Sequence, residues 1–264
     1  MNAPTPLRIF IGYDPREDEA YRVCAYSMRR RSSIPLEIHP LGQPPGLYTR
    51  TWHRTPGGQR IDDVDGKPFS TDFAFSRFLV PALADPNGWA LFCDCDFLFQ
   101  ADVAELLTLA DPRFAVQCVQ HDHRPSEPVK MDGQAQTRYF RKNWSSLVLW
   151  NCAHPGNAGL TVADVSTRPG AWLHGFRWLA DAEIGALPES WNWLDGWSSP
   201  EMPARAVHFT RGGPWLSDHV PGPYAEAWLR EREAMELAAP RAADAEGVRP
   251  APTALGDQLP PYQD

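Results

Sequence analysis

Short apolar runs, each closed by turn residues and followed by a helix-spaced segment, recur through the first 150 residues and constrain the fold more than any other feature. Residues 7–13, LRIFIGY, close at Gly12 and Asp14, and residues 17–30 then place Ala20, Val23, Cys24 and Ser27 at helical spacing. IPLEIHPL (34–41), WALFCDCDFLF (89–99), FAVQCVQ (114–120) and SLVLW (146–150) read as further strands, and DVAELLTLA (102–110) as a helix. TDFAFSRFLVPALA (71–84) carries a helical apolar face interrupted by Pro81. Strands that alternate with helices and are apolar on both faces predict an α/β sandwich around a mainly parallel sheet. Ligands of such sheets bind beyond the carboxyl ends of the strands, where Asp14, Asp94 and Asp96 fall.

The rest of the chain is less periodic. Residues 43–70 are rich in Gly, Pro, Thr and Asp and predict a long loop, a length that usually signals function or mobility. Beyond residue 150 the pattern loosens, up to a helix expected over 224–237. Residues 1–236 are read as a single domain and the Ala/Pro-rich residues 237–264 as a disordered tail. The 264 residues carry a net charge of −8, which excludes a diffuse basic nucleic-acid footprint. Five cysteines without a C-x-x-C pair, no signal-like start and no long apolar window give the expectation of a cytoplasmic protein without a transmembrane segment.

The acidic turn carries the chemistry. Asp94 and Asp96 stand two residues apart at a strand end, so their carboxylates point the same way and repel. A divalent cation neutralises both, and all-oxygen ligands of this kind favour Mg²⁺ or Mn²⁺ shared with substrate phosphates. A solvated turn with two acids is the plainer reading of the same pair.

The order PFSTDFAFSRFLVPALADPNGWALFCDCDFLFQADVAEL, followed by HFTRGGPW at residue 208, resembles the retaining nucleotide-sugar glycosyltransferases of family 8. The resemblance implies a GT-A fold and Mn²⁺ or Mg²⁺ held by Asp94, Asp96 and His208, with Asp94 also near the donor ribose. It implies that Arg77 contacts the donor sugar or steadies the acidic pair, and that Gly12, Tyr13 and Asp14 hold the nucleotide base. Asn143, Ser145 and Ser146 would line the sugar pocket. The lysine that such enzymes carry after the histidine is missing, and Arg211 with the Gly212 and Gly213 amides would take its place at a phosphate. Their Asp-Gln pair is missing too, and Asp181 and Glu183, which fall near its position, become the catalytic candidates. The implied activity is transfer of a hexose from a UDP-sugar or similar donor to a glycan, lipid or small-molecule acceptor. Two alternatives stay open: a non-catalytic nucleotide-sugar or glycan binder on the same fold, and a haloacid-dehalogenase-like phosphatase using Asp94-x-Asp96. The phosphatase motif wants Thr or Val where this chain has Leu98.

His121-Asp122-His123 is a second metal candidate without an evident third partner. Eight of the eleven tryptophans lie within residues 144–215, and Trp191, Trp193 and Trp197 are the expected acceptor-facing ones, as flat plates for a sugar ring.

Overall fold

The structure is a computed structural model and describes residues 5–86, 88–122 and 141–238. The strands are β1 (Leu7–Gly12), β2 (Leu36–Leu41), β3 (Trp52–Arg54), β4 (Arg60–Asp62), β5 (Pro68–Phe69), β6 (Trp89–Cys93), β7 (Phe97–Phe99), β8 (Val116–Cys118), β9 (Leu147–Asn151), β10 (Ile184–Ala186), β11 (Trp193–Leu194) and β12 (Ala206–His208). The helices are α1 (Asp18–Arg31), α2 (Val80–Leu83), α3 (Ala104–Thr108), α4 (Val162–Thr167), α5 (Gly170–His174) and α6 (Ala225–Ala238). The central sheet runs β10-β8-β9-β6-β1-β2, with β9 antiparallel to both neighbours and the other pairs parallel. This is the mixed, mainly parallel α/β architecture that the alternating runs predict. Ile9, Phe10 and Ile11 of β1 and Leu91 and Phe92 of β6 are fully buried because the sheet is covered on both faces.

Between β1 and β6 the chain reverses its direction of travel across the sheet: β2 is laid on one side of β1 and β6 on the other. With right-handed crossovers, α1 and the segment leading to β6 then lie on opposite faces, leaving a crevice at the strand ends. The apolar run 89–99 is two strands rather than one. β6 ends at Cys93, and β7 enters a second sheet, β11-β12-β7. Val23 of α1, Leu98, Trp193, Val207, Phe209 and Trp228 of α6 fill the core over that sheet. Glu231 of α6, nearly buried, receives Arg31 at 2.8 Å and Arg30 at 3.4 Å and ties α6 to α1.

Two further expectations are corrected. Residues 43–70 contain the antiparallel sheet β3-β4-β5, held by charge instead of apolar periodicity. Arg50 grips Asp62 through two hydrogen bonds (2.7 and 2.5 Å), caps the carbonyls of Val165 and Arg168, and lies 3.8 Å over the Phe75 ring. The segment 71–84 is a 3-10 turn (Ser76–Leu79) running into α2, and Pro81 occupies the first turn of α2, where its missing N–H has no partner to lose. Among the described residues no helix is long and apolar enough to cross a membrane. Of the tail expected from residue 237, the part from 239 on lies outside the described residues.

Candidate active site at the carboxyl edge of the sheet

Asp94 and Asp96 stand where the chain leaves one sheet for the other. Between them Cys95 turns inward, its thiol donating to Glu17 Oε2 at 3.3 Å, and burial pushes its pKa up. The alternation along an extended backbone therefore turns both aspartates outward. The Asp94 amide donates to the Ser146 carbonyl at 2.9 Å, and the Phe209 amide to the Asp96 carbonyl at 3.0 Å. Antiparallel pairing of β12 with β7 places His208 opposite Phe97, with the two rings stacked 4.5 Å apart. His208 Nε2 then lies 3.4 Å from Asp96 Oδ1, and Asp94, Asp96 and His208 each offer one ligand atom within 4.8 Å of the others.

The ring orientation of His208 is fixed by Asn192, a fully buried residue. Asn192 Nδ2 faces the Asn143 carbonyl at 3.1 Å and Ser146 Oγ at 2.9 Å. A carbonyl only accepts, so the amide nitrogen is on that side, and Asn192 Oδ1 accepts from His208 Nδ1 at 2.9 Å. With Nδ1 engaged as a donor, Nε2 is the nitrogen that His208 turns toward the Asp96 carboxylate. A hydrogen-bonded amide behind the ring that fixes its orientation is the usual companion of a histidine metal ligand. The donor set of two carboxylates and one imidazole nitrogen fits a divalent cation.

Arg77 is buried behind the acidic pair. Its Nη1 reaches Asp94 Oδ1 at 2.7 Å and the Ser145 carbonyl at 2.9 Å, Nε donates to the Phe73 carbonyl, and the guanidinium faces the rings of Phe73 and Phe92. In this structure Arg77 steadies Asp94. Asn143 to Ser146 form the knot joining these parts. Ser145 Oγ contacts His174 Nδ1 at 2.8 Å, and Ser146 Oγ donates to the Asn143 carbonyl at 2.7 Å. Asn143 takes the left-handed conformation (φ 66°), is 7% exposed, and its Nδ2 has no hydrogen-bond partner among the described residues.

The other predicted site residues divide. Gly12, at the end of β1, is required by packing, since a Cβ there would lie 2.4 Å from the Phe73 ring. The Asp14 carboxylate is taken up by Arg16, Arg60 and the Asp72 amide; burial alone would raise its pKa, and the Arg16 and Arg60 hydrogen bonds hold it well below the usual carboxylate range. Tyr13 hydrogen-bonds Asp18 at 3.2 Å. Gly212 has φ 105°, open to glycine alone, and its amide donates to the Phe209 carbonyl within the turn. Gly213 packs under the Trp215 ring. Arg211 follows His208 closely and its charge acts on Asp195, whose pKa is raised by burial and drawn back by His219 and Arg211. Asp181 and Glu183 are not brought to this edge. They precede β10, level with the start of β8, whereas Asp94 follows the end of β6, at the other end of the parallel strands. Their carboxylates are engaged with Arg141 and with the Ala180 amide.

Of the three tryptophans expected at an acceptor, Trp191 and Trp193 are 1% exposed and belong to the core, while Trp197 is 41% exposed. His123 lies outside the described residues, and His121 accepts from Trp144 Nε1 through its carbonyl. Asn192 was hidden in the sequence between two tryptophans. A polar residue flanked by two core aromatics was the one available signal that its side chain has a buried task.

No family model matches the chain. Among solved structures, the galactosyltransferase LgtC in complex with donor and acceptor sugar analogs superposes with a TM-score of 0.55 at 14% identity, over 86% of this chain and 96% of that one. The glycosyltransferase GlyE of Streptococcus pneumoniae TIGR4 gives 0.56 at 13% identity over 87% of this chain, and the WbbM bifunctional glycosyltransferase 0.54 at 13% over 88%. The chain spans 60% of the GlyE chain and 51% of the WbbM chain. The shared architecture is the GT-A fold. Protein CDI of Arabidopsis thaliana is 50% identical over 237 residues, 86% of either chain. By that identity and coverage, this chain belongs to the family of Protein CDI.

Proposed function

We propose that the chain is a metal-dependent glycosyltransferase that moves a hexose from a nucleotide sugar, a UDP-sugar, to a hydroxyl-bearing acceptor. The observation that carries this reading is the Asp94–Asp96–His208 cluster, held by Arg77 and Asn192 at the crevice of a fold that known glycosyltransferases share. Retention at the anomeric carbon is proposed from the family-8 motif order alone.

In such a transfer the bond between the anomeric carbon and the diphosphate oxygen breaks, and that oxygen takes the electron pair. A Mn²⁺ or Mg²⁺ ion bound by Asp94, Asp96 and His208 would supply Lewis-acid stabilisation of the developing negative charge. Arg77 keeps Asp94 in the ligating pose, and Asn192, accepting from Nδ1 of His208, keeps the ring turned so that Nε2 faces the cluster. Asn143 Nδ2, buried and without a hydrogen-bond partner among the described residues, is the donor proposed to meet a sugar hydroxyl or phosphate oxygen, and its neighbours Ser145 and Ser146 shape the turn that holds it. Gly12 and Tyr13 give the nucleotide base a backbone edge at the end of β1, and Asp14, bound by two arginines, sets the shape of that edge. Arg211 is the positive charge proposed for a phosphate, with the Gly212-Gly213 turn fixing where it starts. Asp181 and Glu183 are assigned no catalytic part, because their strand end faces the other way.

Incubation with a panel of UDP- and GDP-sugars and Mn²⁺, with nucleotide release as readout, tests the reading. Release is expected with at least one UDP-sugar. It should vanish in Asp96→Asn, whose melting temperature without added metal should stay close to that of the parent. Silence with every donor, together with no donor-induced thermal shift, would overturn the proposal.

A further inference from the structure

His174, the last residue of α5, touches both ends of the contact that steadies Asp94. Its ring packs against Phe75, with centroids 6.2 Å apart, and meets Phe78 edge-on at 5.2 Å. Those two rings flank Arg77 in the sequence, so His174 lies against the segment from which the guanidinium starts. Its Nδ1 is 2.8 Å from Ser145 Oγ, and the Ser145 carbonyl is where Arg77 Nη1 lands, at 2.9 Å, beside Asp94. The next residue, Gly175, accepts from Arg141 Nη1 at 2.7 Å through its carbonyl. Two consecutive residues therefore hold the turn 141–146 toward both of its ends. α5 is itself seated tightly: a Cβ on Gly170 would lie 2.9 Å from the Phe75 ring, and the Gly170 amide donates to Asp65 Oδ2 at 3.0 Å.

The turn that α5 holds needs such support. Arg141 and Asn143 both take the left-handed conformation (φ 61° and 66°), which non-glycine residues keep only where their surroundings over-determine it. The same turn serves both halves of the cluster. The Ser146 carbonyl accepts from the Asp94 amide, while the Asn143 carbonyl and Ser146 Oγ face Asn192, which orients His208. Resting on the metal reading of the cluster, we propose that His174 is a positioning residue for the cation, acting through Ser145 and Arg77. Burial, with the charges of Arg77, Lys142 and Arg50, keeps the ring neutral, so it packs close to Arg77 without driving it from Asp94.

Calorimetric titration with Mn²⁺ in the absence of donor, beside thermal melts, tests the assignment in His174→Phe, His174→Asn and Ser145→Ala. Phenylalanine keeps the ring against Phe75 and Phe78 and loses the contact with Ser145. Asparagine keeps a polar atom close to the place of Nδ1 and loses the ring. The two measurements should therefore rank these variants in opposite order. His174→Phe should melt closer to the parent yet bind Mn²⁺ about tenfold more weakly, while His174→Asn melts lower and binds within about threefold of the parent. Ser145→Ala should match His174→Phe in affinity, and the double variant should bind within about twofold of either, since both changes remove one contact. Affinity that follows melting temperature, or losses that add in the double variant, would overturn the assignment. Failure of the metal reading shows itself differently, as a parent without affinity for Mn²⁺. In that case the Asp94 amide hydrogen, which donates to the Ser146 carbonyl, decides whether His174 holds the turn: exchange at least about tenfold faster in His174→Phe supports it, and equal rates refute it.

Discussion

Replacing Asn192 by leucine, a side chain of nearly the same shape, removes three hydrogen bonds from a site with no exposure to solvent. The Asn143 carbonyl and Ser146 Oγ keep each other as partners, so the group left without one is the Nδ1–H of His208. One stranded buried donor costs about 1–3 kcal/mol, and the apolar replacement offsets part of the rest, for a net loss of about 2 kcal/mol. In a chain of this size that is a fall in Tm of about 4–8 °C. The effect on metal should be separate and larger. A histidine released from the amide that accepts its Nδ1–H can rotate or move its proton to Nε2, and such losses lower metal affinity about 10–100-fold. Calorimetric titration with Mn²⁺ and thermal melts with and without the ion measure the two quantities independently. A variant that loses Tm but binds Mn²⁺ within about twofold of the parent would show that Asn192 only fills space. That outcome would refute the argument that it presents His208 to a cation.

Two pH dependences follow from buried groups. The pKa of Asp14 is depressed in the folded state, so its ion pairs stabilise fully above the unfolded value of about 3.9 and are lost as pH falls below it. Asp14→Asn should cost roughly 2–4 kcal/mol at pH 7 in urea unfolding, because Arg60 stays buried, and should flatten the acid limb; equal slopes in both proteins would count against it. His174 is kept neutral by burial and by the charges of Arg77, Lys142 and Arg50, well below its ordinary pKa. The unfolded chain takes up that proton below about pH 6.5, so the stability present above 6.5 should decline by up to about 1.4 kcal/mol per pH unit as the medium becomes more acidic. His174→Gln should lack that component, and urea midpoints at pH 7.5 and 5.5 for the two proteins check it.

The parallel strands were legible because burial on both faces writes itself into sequence as unbroken apolar runs, as in β1 and β6. The same property concealed the break between β6 and β7. Apolar residues flank the acidic turn on both sides, and nothing in their pattern says that Phe97–Phe99 belongs to another sheet. The small sheet β3-β4-β5 was hidden for the opposite reason: Arg50–Asp62 and Arg60–Asp14 hold it, and paired charges distant in sequence have no period. At the site, Asp94, Asp96 and His208 were found through the order of a motif, and the structure brings them together. Asp181 and Glu183 were chosen by their distance along the chain, which does not record which end of a strand they occupy. Tryptophan clustering likewise failed to separate Trp191 and Trp193, packed in the core, from Trp197, because an indole serves either purpose.

The division of the acidic turn between two sheets has a consequence for how the molecule opens. Asp94 takes its backbone bond from the β9 side of the large sheet, while Asp96 and His208 belong to the small one. An ion held by all three is a rivet across a seam, and it bears on whichever side would otherwise come loose first. Amide hydrogens of β7, β11 and β12 should therefore exchange more slowly when Mn²⁺ is bound, while those of β1 and β2, remote from the seam, keep their native rates. On the proposed metal reading, a bound ion would then couple the two sheets in unfolding as well as serve the chemistry.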